Sequence, residues 1–129
     1  MNRKNIGKIV LIVLAVPTLM VGMTALFDPQ AIMDNVDQPL QTISAKSSTR
    51  AIYGGMHLLF GLFFVYGAFK AQRDAFLILF LYSAGFVLGR MISLFSDGQP
   101  NPFISNFIVI EAVVAIIAGW FYLSAQKLD

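Results

Sequence analysis

The chain has 129 residues, of which 57% are hydrophobic and 12% are charged, and its mean hydropathy is +0.74. A soluble domain carries about 25% charged residues, so this composition argues against a soluble enzyme and favours lipid as the solvent. The net charge of +2 does not indicate nucleic-acid binding, because the basic residues flank apolar segments, and the lack of cysteine excludes disulfides, thiolate metal sites and cysteine nucleophiles.

Four apolar segments are each long enough to cross a hydrocarbon core of about 30 Å. The first is predicted to be a retained span rather than a cleaved signal peptide, because its apolar run is too long and lacks an A-x-A site. The predicted helices cover about 6–27, 49–69, 75–95 and 102–125, with an outer loop at 28–48, in a single domain over 1–129. The sequence therefore predicts an all-α fold, an integral membrane four-helix bundle.

Polar residues beside the apolar segments predict where helices begin. The D-P and N-P dipeptides at 28–29 and 101–102 each combine an N-cap with proline at the first helical position. Ser47 or Ser48 is predicted to cap the second span, and Asp74 to cap the third.

Charges at the helix ends predict the orientation of the protein. One side holds Arg3, Lys4, Lys8, Lys70, Arg73 and Lys127, and the other holds Asp28, Asp34, Asp37 and Asp97 with Lys46 and Arg50. By the positive-inside rule, both termini are expected in the cytoplasm of a bacterial cell whose inner membrane the chain crosses. The strength of this bias argues against a dual-topology protein such as a small drug exporter or a fluoride channel.

Arg90 and Glu111 are the most informative residues, because each is the only full charge deep inside its apolar segment. A central charge costs roughly 3 kcal/mol on insertion scales, but opposite charges on neighbouring helices offset each other. A short turn joins the third and fourth spans, which makes them antiparallel neighbours, so we expect Arg90 and Glu111 to pair. Such a pair serves either a functional site or only the register of the two helices.

The second span carries a polar stripe. Arg50, Tyr53, Gly54, His57 and Gly61 recur at helical spacing and are expected to share one face. A lone interior histidine is more often a hydrogen-bonded core residue than a functional group. His57 therefore indicates a site only together with the other polar residues.

The third span continues the polar theme. Arg90, Ser93 and Asp97 are expected to share a face, and Gly85 and Gly89 form a G-x-x-x-G motif that permits close helix approach. The predicted ligand-binding set is Arg50, Tyr53, His57, Arg90, Ser93, Asp97 and Glu111.

Other chemistries lack the residues they need. One histidine and one glutamate are too few ligands for a metal site, and a single histidine excludes bis-histidine haem. No nucleophile, base and acid stand at a recognisable spacing, and no glycine-rich phosphate loop is present. The sequence therefore names no cofactor and favours a binding or accessory protein over an enzyme.

Two short motifs resemble a known family. Residues 50–55 read R-x-x-Y-G-G and residues 89–100 read G-R-x-x-S-x-x-x-D-G-x-P, with Glu111 following in the last span and D-P at 28–29. Together they resemble the bacterial family called domain of unknown function 4345, which is similar to DoxX-like four-helix membrane proteins. The resemblance implies a four-helix bundle in the inner membrane and no particular activity, although some DoxX relatives are associated with quinone-linked oxidoreductases.

These observations favour a small membrane protein whose polar site binds an anionic or amphiphilic ligand, such as a lipid headgroup or a quinone. Arg50 and Arg90 would donate hydrogen bonds, and Glu111 would hold Arg90. The alternatives are a proton-coupled transporter that uses Glu111 and a subunit of a membrane oxidoreductase. The partners expected are the bilayer, a further copy of the chain, or a larger membrane complex to which it is accessory.

Overall fold

The computed structural model describes residues 2–125 and is helical almost throughout. Lys127, one of the basic residues used to predict the orientation, lies outside the described residues. The helices are α1 (Arg3–Phe27), α2 (Pro29–Met33), α3 (Ile43–Lys70), α4 (Gln72–Ser96) and α5 (Pro102–Ala125). Among the described residues, four helices, α1, α3, α4 and α5, are long and apolar enough to cross a membrane, which confirms the all-α prediction.

Two predicted helix starts are wrong. Helix α3 begins at Ile43 rather than near residue 49, because the Thr42 side chain accepts a hydrogen bond from the Ala45 amide and caps the helix there. Helix α4 begins at Gln72 after Ala71, which makes no side-chain cap, so Asp74 lies inside the first turn instead of capping it. Acidic residues in a first turn still favour the helix through its dipole.

The two D-P and N-P caps are confirmed. The Asp28 carboxylate accepts a hydrogen bond from the Ala31 amide, with Pro29 at the first position of α2. The Asn101 side chain accepts a hydrogen bond from the Ile104 amide at 2.9 Å and starts α5. In each case proline follows the cap, where its missing N–H leaves no helical hydrogen bond unmade.

The chain divides into two compact units, Met1–Lys70 and Ala71–Asp129. In the first unit, α1 and α3 run antiparallel and approach closely at glycines. A Cβ atom on Gly54 would lie 2.8 Å from Leu26, and one on Gly61 would lie 2.6 Å from Leu19. Gly54 and Gly61, which belong to the polar stripe predicted on the second span, therefore lie on the face that packs against α1.

An ordered loop joins α1 to α3, and Gln30 holds it together. Its amide nitrogen donates to the Asp34 carboxylate at 2.7 Å and to the Gln38 carbonyl at 3.2 Å. Its amide oxygen accepts a hydrogen bond from the Leu40 backbone at 2.8 Å. Met33 and Leu40 are buried, so this segment also packs through apolar side chains.

In the second unit, α4 and α5 run antiparallel and pack through aromatic and small residues. The rings of Phe76 and Phe121 stack with centroids 4.6 Å apart, and Phe80 lies against Gly119. Ala118 is fully buried in the same contact. Beyond this aromatic contact, the Arg73 guanidinium lies 5.5 Å from the centroid of the Tyr122 ring, whereas Arg90 and Glu111 lie nearer the turn that joins the helices.

Candidate functional site

Arg90 on α4 and Glu111 on α5 form a two-pronged ion pair, which confirms the predicted pairing. Arg90 Nε donates to Glu111 Oε2 at 2.6 Å, and Arg90 Nη2 donates to Glu111 Oε1 at 2.9 Å. The side chains are only 22% and 14% exposed. The opposite charges of the two groups offset each other, and the fork of two hydrogen bonds fixes their relative orientation.

An aromatic residue supports the guanidinium from one turn earlier in α4. The Arg90 Cζ atom lies 5.8 Å from the centroid of the Phe86 ring, within the range of a cation–π contact. The Phe86 ring in turn meets the edge of Tyr82 with centroids 5.0 Å apart. Arg90 is thus held by Glu111 across the helix pair and by Phe86 along its own helix.

A cleft of about 160 Å³ opens beside this ion pair. It is lined by Gly89, Arg90, Ser93, Leu94, Pro100 and Ile104. Arg90 and Ser93 give it polar hydrogen-bonding groups, whereas Leu94, Pro100 and Ile104 give it apolar walls. A cleft with one polar end and apolar walls has the character of a small-molecule site.

The rim of the cleft is shaped by the turn after α4. Ser93 Oγ donates to the Asp97 carboxylate at 2.8 Å, and the Asp97 amide donates back to the Ser93 carbonyl at 2.7 Å. Gly98 then adopts a φ of 98°, a conformation that other residues rarely take, so glycine is needed for the chain to turn here. Asp97 therefore fixes the Ser93 hydroxyl at the cleft and does not line it.

Sequence reasoning missed four of the residues that line the cleft, namely Gly89, Leu94, Pro100 and Ile104. A signal for two of them was present, since Gly89 and Pro100 are the first and last residues of the G-R-x-x-S-x-x-x-D-G-x-P motif. Within the second unit, a Cβ atom on Gly85 or Gly89 would meet no heavy atom within 4 Å, so the packing of α4 against α5 does not use the G-x-x-x-G motif. Close approach of another helix at these glycines stays a prediction.

Arg50 and its neighbours belong to the first unit. Arg50 Nε donates to the Leu26 carbonyl at 3.0 Å, which satisfies one of the carbonyls left without a helical partner at the end of α1. The rings of Tyr53 and His57 stack with centroids 5.5 Å apart. His57 is buried and Arg50 is exposed, so the three residues run from the surface into the packing between α1 and α3.

The segment Arg50–Met56 is a π-helix inside α3, which the sequence did not reveal. His57 Nδ1 lies 3.0 Å from the Ile52 carbonyl, so the Nδ1–H tautomer donates to a backbone oxygen within the segment. Short π segments inside α-helices occur frequently at functional sites. The R-x-x-Y-G-G motif coincides with this segment, with Gly54 facing α1.

The predicted ligand-binding residues thus lie in two groups. Arg90, Ser93, Asp97 and Glu111 come together around the cleft in the second unit, whereas Arg50, Tyr53 and His57 cluster on α3 in the first. Within residues 2–125, no three acidic, histidine or cysteine side chains come close enough to hold a metal ion.

The family model described as domain of unknown function (DUF4345) matches residues 6–122. The chain belongs to this family. No curated protein and no solved structure matches the chain. The DUF4345 match covers both groups of polar residues, including the ion pair and the cleft.

Proposed function

We propose that this DUF4345 protein binds the polar end of a small amphiphile in the cleft beside Arg90. One observation carries the proposal, namely that the paired guanidinium of Arg90 and the hydroxyl of Ser93 line a cleft whose other walls are apolar. A ligand with hydrogen-bond acceptors at one end and an apolar body fits this arrangement of groups. Lipid headgroups and quinones are two ligand classes with that chemistry.

The neutrality of the ion pair bears on the charge of the ligand. Glu111 offsets the charge of Arg90, so the cleft presents the polar groups of Arg90 and Ser93 rather than a net positive field. Carbonyl or ester oxygens therefore suit it as well as a full anion does. Glu111 acts as a positioning residue, because it fixes the guanidinium before the ligand arrives and reduces the ordering cost of binding.

The setting proposed is the inner membrane of a bacterium, with a binding or accessory role rather than a catalytic one. Four helices able to cross a membrane and the family match support a multi-pass membrane protein. The relationship to DoxX-like proteins and the participation of Arg50, Tyr53 and His57 in ligand binding stay predictions. Association with a further copy or with a larger membrane complex also stays a prediction.

Proton-coupled transport through Glu111 and a role in a quinone-linked oxidoreductase remain the alternative proposals. Both Glu111 oxygens are held by Arg90 in a fixed fork, a geometry that suits a positioning role for Glu111. A subunit that carries a redox group would show its absorption spectrum on purification.

The glycines of α4 allow a sharp test of the cleft. Gly89 lines the cleft and has open space where a Cβ would lie, so Gly89→Leu should fill the cleft without disturbing the helix. Gly85→Leu is the matched control, because Gly85 also has open space but does not line the cleft. The probes are decylubiquinone and a short-chain phosphatidylglycerol, titrated into the purified protein in detergent.

We expect one of the two probes to bind the unmodified protein and the Gly85→Leu variant with equal affinity, and Gly89→Leu to weaken its binding at least about tenfold. Equal binding by all three proteins would reject the cleft as the site. Failure of both probes to bind, together with no amphiphile found by mass spectrometry of the purified protein, would reject the proposed function.

A further inference from the structure

The hydrogen bond between Ser93 and Asp97 decides what the Ser93 hydroxyl can offer to a molecule in the cleft. Ser93 Oγ lies 2.8 Å from Asp97 Oδ2, and a carboxylate oxygen only accepts, so the serine is the donor. A hydroxyl carries one hydrogen and two lone pairs. Because its hydrogen is directed to Asp97, Ser93 can only accept a hydrogen bond from a ligand.

The same hydrogen bond makes the Ser93 oxygen a better acceptor. Donation to a carboxylate is charge-assisted, and it polarises the hydroxyl so that more negative charge stays on its oxygen. Among the described residues of the second unit, no group donates a hydrogen bond to Ser93 Oγ. The lone pairs of this oxygen are therefore left to a ligand or to water.

Asp97 is well placed to hold the Ser93 hydroxyl in this orientation. Its amide donates to the Ser93 carbonyl at 2.7 Å, so the two residues are joined through both main chain and side chain. Asp97 directly follows Ser96, the last residue of α4, where a negative charge opposes the helix dipole. The dipole therefore disfavours an aspartate here, whereas the bond to Ser93 gives it a use at the cleft.

The two polar residues of the cleft differ in what they ask of a ligand. Arg90 has no acceptor atom, so a ligand group beside it has to accept, whereas a group beside Ser93 has to donate. Phosphate, ester and carbonyl oxygens carry no hydrogen and suit only Arg90. The apolar walls favour an uncharged donor at Ser93, because an ammonium group would lose more hydration there than a hydroxyl does.

We infer that the cleft selects amphiphiles whose polar end carries a hydroxyl group and that Ser93 recognises this group, which rests on the proposed binding of an amphiphile beside Arg90. The hydroxyl donates to Ser93 Oγ, and a neighbouring oxygen of the ligand accepts from Arg90. Asp97 is a positioning residue, because it acts on the ligand through Ser93. Two sources carry this chemistry, namely the glycerol headgroup of a phospholipid and the reduced, quinol form of a quinone.

Two pairs of probes differ in this hydroxyl and in little else. Short-chain phosphatidylglycerol and phosphatidylpropanol have the same charge and acyl chains, but only the first has headgroup hydroxyls. Decylubiquinol and decylubiquinone have the same tail, but only the quinol has hydroxyls where the quinone has ring carbonyls. Each probe is titrated without oxygen into the full-length protein in detergent, and the pair that shows the preference identifies the source of the hydroxyl.

We expect the hydroxyl-bearing member of one pair to bind at least about tenfold more tightly, because the other member leaves the Ser93 oxygen without a hydrogen bond. Ser93→Ala should lower this preference to less than about threefold. Ser96→Ala is the matched control and should keep the preference, because Ser96 is exposed on the same helix and does not line the cleft. Equal losses in the two variants would overturn the role of Ser93.

Asp97→Ala tests the orientation of the hydroxyl separately. The Ser93 hydroxyl is retained but can turn its hydrogen towards the cleft, so the preference should fall by about threefold or more while the probe still binds. A merely structural role for Asp97 would weaken both members of a pair alike and leave their ratio unchanged. That result would overturn the positioning role.

Failure of the hydroxyl preference can be told apart from failure of the proposed function. If both members of a pair bind equally and Gly89→Leu weakens both, the cleft binds an amphiphile but does not select a hydroxyl, and the inference is overturned alone. If no member of either pair binds, the hydroxyl preference and the proposed function are both overturned.

Discussion

The backbone nitrogen of Leu58 lies 2.7 Å from the position that a Cβ atom on Gly22 would occupy. The neighbouring atom is main chain, so it cannot turn aside as the end of a side chain could. Gly22 therefore sets how closely α1 and α3 approach at the middle of the first unit. The close contact also places the end of α1 where its Leu26 carbonyl accepts the hydrogen bond from Arg50.

Gly22→Ala should destabilise the protein by roughly 1–3 kcal/mol, because the added methyl group forces the two helices apart. Gly55→Ala is the control, since a Cβ there would have its nearest neighbour, the Arg50 carbonyl, at 3.9 Å. Unfolding in mild detergent by titration with a denaturing detergent would measure both. Equal stability of the two variants would contradict the packing described for Gly22.

Breaking the ion pair from one side should be costly. Arg90→Leu leaves the Glu111 carboxylate partly buried without its guanidinium partner, and we expect a loss of about 3–5 kcal/mol in the free energy of unfolding. The double variant Arg90→Leu with Glu111→Leu should recover much of that loss. Unfolding measurements on both single variants and the double variant complete the cycle, and additive losses would show that the two charges serve different partners.

The start of α3 can be tested with single hydroxyl deletions. Thr42→Ala removes the side chain that accepts from the Ala45 amide at 3.0 Å, and should cost about 0.5–2 kcal/mol. Hydrogen exchange at the amides of residues 43–46 should accelerate in this variant. Ser48→Ala should leave those rates unchanged, because Ser48 lies exposed within the helix, and acceleration in that variant instead would move the helix start towards residue 49.

The orientation predicted from the charge bias places both termini in the cytoplasm. A reporter fused after Asp129 should be active only when it is cytoplasmic, and the same reporter inserted in the loop after Gln38 should be inactive there. The reverse pattern would contradict the predicted orientation and place both termini outside the cytoplasm.

The four long helices were predictable from the sequence, because their length and apolar character leave few alternatives in lipid. The Arg90–Glu111 pair was predictable for a related reason, since a charge at that depth needs a partner. The start of α3 was not predictable from composition, because the polar run from Thr42 to Ser48 has the composition of a loop, and one side-chain hydrogen bond at Thr42 decides otherwise.

The site was harder to predict than the helices. The spacing of Arg50, Tyr53 and His57 assumes an α-helical repeat, and the π segment Arg50–Met56 changes that repeat. Gly54 and Gly61 were predicted to belong to the same polar face, but they lie where α1 packs closely against α3. The apolar walls of the cleft, such as Leu94 and Ile104, could not be recognised from the sequence. Aliphatic residues occur on every face of a membrane helix, so their identity does not reveal which of them line a cleft.

The three hydrogen bonds of the Gln30 side chain restrict which residues can replace it. Its amide gives hydrogen-bond donors to Asp34 and Gln38 and an acceptor to Leu40 at the same time. Glutamate has the right length but no donor and would set a second carboxylate against Asp34, and asparagine has both groups but is one carbon too short. Exchange of Gln30 should therefore loosen the segment between α1 and α3, although its side chain is uncharged and such connecting segments ordinarily tolerate substitution.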